Sequence, residues 1–291
     1  MENFVAPFFY YSHRLYNRMK KALLIGINYY DISNITLNGC INDVININNM
    51  LIDAYNYSME NIIILRDDSL TNDLFTDDSL TNVPTRENII RNLKELIDKS
   101  NECEEIWIHY SGHGSRIPSL KDTFDEVIVP IDYKDTGFIV DNDLFDIIKE
   151  SKCRTILIID CCHSATMFDL EWCFEYDTNI QAIQKHRNNT DIITNKSIFM
   201  LSGCKDKETS SDTFNVETEQ YTGALTNAFI YCLRKNHHNI TFMQLYREIL
   251  LYLVKKGFSQ KPVFSSSSEN LEGSFIRSPS ILFSYTDQKE K

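Results

Sequence analysis

The residues of this chain best suited to covalent chemistry are His113 and the adjacent pair Cys161 and Cys162. A thiol becomes a strong nucleophile when an imidazole takes its proton, and the same imidazole can later protonate a leaving amine. Two strings hold these residues: His109-Tyr110-Ser111-Gly112-His113-Gly114-Ser115 and Asp160-Cys161-Cys162-His163-Ser164. Each follows an apolar, β-branched run, Glu105 to Tyr110 and Arg154 to Ile159, which predicts a buried strand. Parallel strands align their C-terminal ends along one sheet edge, where ligand sites form at a switch in strand order. A histidine at one such end and a cysteine at the next supply the base and nucleophile of acyl transfer. Neighbouring residues of an extended segment point to opposite sides, so only one of the two cysteines can face His113. Burial as apolar side chains is the ordinary fate of free cysteines. A zinc site built from Cys161, Cys162 and His163 lacks a second pair at ligand spacing.

The surrounding sequence alternates strand and helix signals. Strands are predicted at Ala22–Ile27, Asn61–Leu65 and Ser197–Leu201, besides the two that precede His113 and Cys162. Helical stretches are predicted at about Asn42–Tyr55, Asp141–Glu150, Tyr221–Arg234 and Thr241–Lys255. Another helix is capped by Thr85 and carries the stripe Ile89, Ile90, Leu93, Leu96 and Ile97. A short β excursion is expected around Glu126–Ile131 and Phe138–Val140. Such alternation predicts an α/β fold, a mainly parallel sheet with helices on both faces.

Two polar stretches interrupt this pattern. Asp67-Asp68-Ser69-Leu70-Thr71-Asn72 recurs ten residues later as Asp77-Asp78-Ser79-Leu80-Thr81-Asn82, which reads as a duplicated surface loop. Phe174 to Asn195 reads as an exposed linker inside one domain, since sheet signals continue on both sides. The organisation expected is an N-terminal extension over 1–19, a single domain over 20–285 and a polar tail over 286–291.

Composition narrows the function classes. A formal net charge of −12 over 291 residues, with no basic stripe, argues against nucleic acid as main partner. The same balance suits cationic substrates or a bound divalent cation. Eight irregularly spaced cysteines without a Cys-x-x-Cys pair do not form a disulfide framework. The first twenty residues lack the basic and apolar regions of a secretory signal, and no apolar run approaches a membrane span. A reducing, cytoplasmic location and no membrane partner are the expectation.

Taken together, the motifs resemble those of metacaspases. The run around His113 is similar to that family's histidine motif, and Asp160-Cys161-Cys162-His163-Ser164 to its Asp-x-Cys-His-Ser-Gly motif. Further similarity covers Leu37 to Asp43, Pro84 to Ile89, Ser202-Gly203-Cys204-Lys205-Asp206, Gly223-Ala224-Leu225-Thr226 and Phe258-Ser259-Gln260-Lys261-Pro262. The matches run in order from about residue 20 to 270. The resemblance implies the caspase–hemoglobinase fold, and the separation of 49 residues between His113 and Cys162 suits the roughly 50 of caspases. It also implies that Cys162, which immediately precedes the motif histidine, is the nucleophile and His113 its base. Gly114 and Cys162 would then donate backbone N–H groups to an oxyanion hole. The glycine expected after Ser164 is Ala165 here.

By the same resemblance, Cys40, Asp43, Ser111 and Asp160 line the pocket for the residue before the scissile bond. Two carboxylates there suit Arg or Lys in a protein or peptide substrate. The Gln-Ala-Cys-Arg-Gly signature of Asp-directed caspases is absent. Calcium is implied by Asp125, Asp141 and Asp169, with Asn142 where a second adjacent aspartate is usual; oxygen donors of these kinds suit the ion. The expectation is a monomeric, calcium-activated cysteine endopeptidase that cuts itself between Phe174 and Lys196, at Lys185, Arg187 or Lys196. The competing reading is a catalytically weak or inactive caspase-like binding module that keeps the fold and scaffolds partners.

Overall fold

The β-branched runs assemble into one eight-stranded sheet in a computed structural model that describes residues 19–68, 82–119, 124–162, 167–177, 180–203, 212–215, 220–271 and 273. Its strands are β1 (Met19–Gly26), β2 (Ile62–Arg66), β3 (Cys103–Ser111), β7 (Arg154–Asp160), β8 (Trp172–Asp177), β9 (Ala182–Arg187), β10 (Ile198–Ser202) and β13 (Val263–Ser266). They lie in the order β2-β1-β3-β7-β10-β13-β8-β9, and the five from β2 to β10 run parallel. The chain moves outward from β1 to β2 and returns on the other side as β3, so strand order switches between β1 and β3. A three-stranded antiparallel sheet of β4 (Gly114–Pro118), β5 (Phe124–Ile128) and β6 (Ile139–Val140) forms the predicted excursion. β11 (Asp212–Asn215) and β12 (Gln220–Gly223) form a separate pair.

Helices cover the two faces of the large sheet. Along β1, Ala22 and Leu24 join the core shared with α1 (Cys40–Tyr55), α4 (Ala224–Lys235) and α5 (Phe242–Lys255). Leu23 and Ile25 join the opposite core, which is closed by α2 (Arg86–Asp98) and α3 (Asp141–Ile148). This is the period-2 alternation of a strand buried on both faces. Thr85 caps α2 as its sequence predicts, its hydroxyl oxygen accepting the Asn88 N–H at 3.2 Å. At the end of the sheet away from the motifs, Glu105 and Arg154 sit opposite each other on β3 and β7. They form a buried ion pair at 3.0 Å, with the Tyr57 hydroxyl donating to the same carboxylate. Removing one partner of such a pair leaves an uncompensated charge, so the pair holds the two strands in a single register.

Three expectations need correction. The stretch from Phe174 to Asn195 is not a linker: it contains most of β8 and all of β9, paired antiparallel at the edge of the main sheet. Its polarity reflects an edge strand, which has little buried surface to signal. Tyr221 and Thr222 belong to β12, and helix begins only at Ala224. Asp67 is buried, not looped out; its carboxylate accepts the backbone N–H groups of Asn28 and Tyr29 at 2.9 and 2.5 Å. Asp68 pairs with Arg66 at 3.0 Å, whereas 69–72 of the first repeat and most of the second lie outside the described residues.

His109, inside β3, is fully buried, and burial pushes its imidazole down to about 3. The unfolded chain binds a proton there near pH 6.5, whereas the folded chain does not, so stability falls as pH drops from 6.5 toward 3. Between pH 7 and 5 this residue alone should cost about 2 kcal/mol. Urea unfolding at several pH values checks it: His109→Asn should flatten the slope over that window, and an unchanged slope would contradict the assignment.

Candidate active site

The register of β3 against β7 sets the height of both motifs. Ser111 pairs with Asp160, so His113 and Cys162 each stand two residues beyond a matched pair at the C-terminal ends of adjacent parallel strands. The loops that follow are in direct contact. A Cβ built on Gly114 would sit 1.9 Å from the Cys162 carbonyl oxygen and 2.9 Å from the Cys161 sulfur, so only glycine permits this approach. The two cysteines follow the end of β7 and differ in environment. Cys161 is fully buried among apolar side chains of the α2–α3 core, and Cys162 is partly exposed.

His113 is held from three sides. Its Nε2 lies 2.6 Å from the Ile35 carbonyl oxygen. A carbonyl only accepts, so in the neutral ring Nε2 carries the proton and Nδ1 keeps the lone pair of a general base. Its backbone N–H donates to the Tyr29 hydroxyl at 3.0 Å, and the two rings pack at 4.8 Å between centroids. Tyr29 in turn donates to the Val129 carbonyl at 2.6 Å, and Tyr110 donates to the His113 carbonyl at 2.7 Å. Burial raises both phenols well above their ordinary value, so both remain proton donors. Ile35 and Tyr29 follow β1, which places them at the β1–β3 switch. Neither was legible in the sequence: a backbone carbonyl leaves no residue-type signal, and Tyr29 belongs to no motif.

Of the four candidate pocket residues, Asp43, Ser111 and Asp160 converge beneath a cover, whereas Cys40 opens α1 with its N–H donated to the Asn28 side chain. Cys40, Asp43, Ser111 and Asp160 are all buried. Asp43 accepts the Ser111 hydroxyl at 2.7 Å, and its two oxygens accept the Gly223 N–H at 2.9 and 3.0 Å. Asp160 accepts both the N–H and the hydroxyl of Thr226, at 2.8 and 2.9 Å. A Cβ on Gly223 would fall 2.3 Å from one carboxylate and 2.6 Å from the other, so this glycine is wedged between them. The sequence match at Gly223–Thr226 was the available signal, though it gave these residues no role. A long cationic side chain reaches the two acids only if the Gly223 segment shifts.

The calcium candidates are more dispersed. Asp125 lies on β5 opposite Ile117. Asp141 opens α3, and its carboxylate accepts the backbone N–H groups of Glu126 and Asn142 at 3.0 and 2.7 Å. Asn142 is exposed, and Asp169 sits in a left-handed backbone conformation on the loop leading to β8. The all-oxygen donor set fits a hard cation in kind. Among the described residues, however, these three aspartates do not form a group with oxygens mutually within 4.8 Å.

The self-cleavage candidates are tied down. Lys185 and Arg187 lie on β9 and pair with Glu269 at 2.7 Å and Glu171 at 3.1 Å. Lys196, outside any strand, also pairs with Glu171, whose carboxyl is held below its ordinary value chiefly by that contact. His163, Ser164 and Ala165, and Cys204 to Asp206 of a further matched string, lie outside the described residues.

His113 and Cys162 thus stand at neighbouring strand ends of a mainly parallel sheet with helices, an architecture of the caspase–hemoglobinase type. Residues 20–171 match the family model described as metacaspase, peptidase C14 domain. Metacaspase-1 of Cryptococcus neoformans is 32% identical over 312 residues, covering 90% of this chain and 65% of the relative. Metacaspase-1B of Aspergillus oryzae is 33% identical over 85% of this chain and 68% of its own length. Metacaspase-2 of Trypanosoma brucei brucei is 31% identical over 86% of this chain and 74% of its own length. The chain belongs to the metacaspase family, and it spans about two thirds of the length of the first two of these relatives. A crystal structure of a Geobacter sulfurreducens protein superposes with a TM-score of 0.60 at 18% identity, covering 89% of this chain and 99% of that one, which supports the fold.

Proposed function

We propose that this chain is a cysteine endopeptidase that cleaves proteins or peptides after Arg or Lys, with Cys162 as nucleophile and His113 as base. The observation that carries the reading is the packing of the His113–Gly114 turn directly against Cys162, the more exposed of the two cysteines. His113 Nδ1 takes the Cys162 proton, and the thiolate attacks the scissile carbonyl. The backbone N–H groups of Gly114 and Cys162 receive the oxyanion. His113 then gives its proton to the leaving amine, and water, deprotonated by the same ring, hydrolyses the thioester. Asp43 and Asp160 receive the substrate cation once the Gly223 segment moves. Cysteines outside any disulfide among the described residues suit a reducing compartment, and we assign the protein to the cytoplasm as a monomer. No described helix is long and apolar enough to cross a membrane.

Calcium belongs to this proposal as an activator held by Asp125, Asp141, Asn142 and Asp169. Bound there, the ion would supply a fixed charge that draws the Asp169 loop toward β5 and α3. With one neutral donor in the set, half-activation should fall at about 10⁻⁴–10⁻³ M. Turnover of an Arg-ending fluorogenic peptide should rise at least about tenfold on calcium addition, and Asp141→Asn should move the midpoint upward. Mass spectrometry of the same samples should find fragments ending at Lys185, Arg187 or Lys196, Lys196 first because it lies outside the paired strands. Calcium-independent turnover would remove the ion from the account. Unchanged intact mass in the active enzyme would remove self-cleavage. The burial of both pocket acids is what favours a binding module without turnover, and no cleavage with or without calcium would establish it.

A further inference from the structure

We propose that Cys173, Glu175 and His186 form a binding site for a zinc-class divalent cation on the β8–β9 pair, separate from the peptidase centre. Cys173 and His186 are directly opposite in the antiparallel register, and Glu175 lies two residues further along β8. The period of two puts all three on one face. Their sulfur, carboxylate and imidazole ligand atoms lie within 4.8 Å of one another, and among the described residues they are the one such group. The other face of the pair is committed to packing: Phe174 is buried in the α4–α5 core, and Trp172, Tyr176 and Ile183 pack against it.

The donor set selects the ion. Sulfur, nitrogen and oxygen together suit zinc or a similar borderline cation, whereas calcium and magnesium take oxygen alone. Three protein ligands leave a fourth tetrahedral position for water. Burial is graded from Cys173, 2% exposed, through Glu175 to the exposed His186, so the cation has an entry path from solvent. The chain's net charge of −12 favours its approach. Two ligands on β8 and one on β9 make the ion a clasp across the outermost pairing of the sheet. His186 lies between Lys185 and Arg187, so the clasp fixes the backbone at both basic residues.

The test uses the full chain carrying Cys162→Ala, which removes the partly exposed thiol of the proposed peptidase centre. Cobalt(II) should bind at one equivalent with the visible bands of tetrahedral cobalt and a sulfur-to-cobalt charge-transfer band. Zinc should displace it. Cys173→Ser should abolish the charge-transfer band, and His186→Ala should weaken zinc binding by at least about tenfold. His186 is exposed, so the second variant keeps its fold even if the first does not. Zinc should also slow trypsin cleavage after Lys185 and Arg187, and His186→Ala should cancel that protection. An octahedral cobalt spectrum without charge transfer, or zinc affinity unchanged in His186→Ala, would overturn the site.

Discussion

Cys162→Ala should reduce turnover by at least about 10⁴-fold, whereas Cys161→Ala should keep most of it. The two thiols are neighbours in sequence but not in environment. Cys161 is enclosed by apolar side chains, and its sulfur lies against the Gly114 position. Its loss should cost about 1 kcal/mol of stability and little activity. Cys162 is partly exposed at the mouth of the strand pair, where its carbonyl meets the turn bearing His113. His113→Ala should match Cys162→Ala, because nucleophile and base act as one unit. Peptidase assays on the folded single variants decide this: equal losses for Cys161→Ala and Cys162→Ala would contradict the assignment.

The second large effect is selectivity. Peptides ending in Arg or Lys should be cleaved, and the matching Asp peptides should be worse by about a hundredfold to a few thousandfold. An aspartate between Asp43 and Asp160 would be a buried charge without a counter-ion, at a cost of about 3–5 kcal/mol. Backbone and hydroxyl donors from Ser111, Gly223 and Thr226 converge on the two acids, so the site is built around carboxylate oxygens that accept hydrogen bonds. Asp160→Asn should lower kcat/KM for Arg peptides more than Asp43→Asn does. Asp43 is bound by two separate segments, so its neutralisation should appear mainly as lost stability. A substrate library that favours Asp would contradict the pocket.

The sheet centre was legible because its strands are buried on both faces and read as continuous apolar runs. β1, β3, β7 and β10 lie within a residue or a few of their expected positions, and the motifs at their ends locate the site. The edge was not legible. β9 has five of its six residues exposed and holds Lys185, His186 and Arg187, a pattern indistinguishable from a polar loop. β13 contains Ser265 and Ser266, hydroxyls that its burial conceals and its sequence presents as a turn. Within the site, residue types singled out Cys162, His113, Asp43 and Asp160, the residues proposed as nucleophile, base and pocket acids. The groups that orient or cover them, the Ile35 carbonyl, Tyr29 and the Gly223 N–H, act through backbone atoms or lie outside any motif.

A single labelling experiment addresses both the reactive sulfur and the Arg selectivity. A peptide ending in Arg and carrying a thiol-reactive warhead is incubated with the full chain in calcium, beside its Asp-ending twin. Peptide mapping by mass spectrometry then locates the adduct. The Arg probe should modify Cys162 stoichiometrically, leave Cys161 unmodified and fail to label His113→Ala, while the Asp probe labels neither cysteine. Labelling at Cys161, or equal labelling by both probes, would contradict the account.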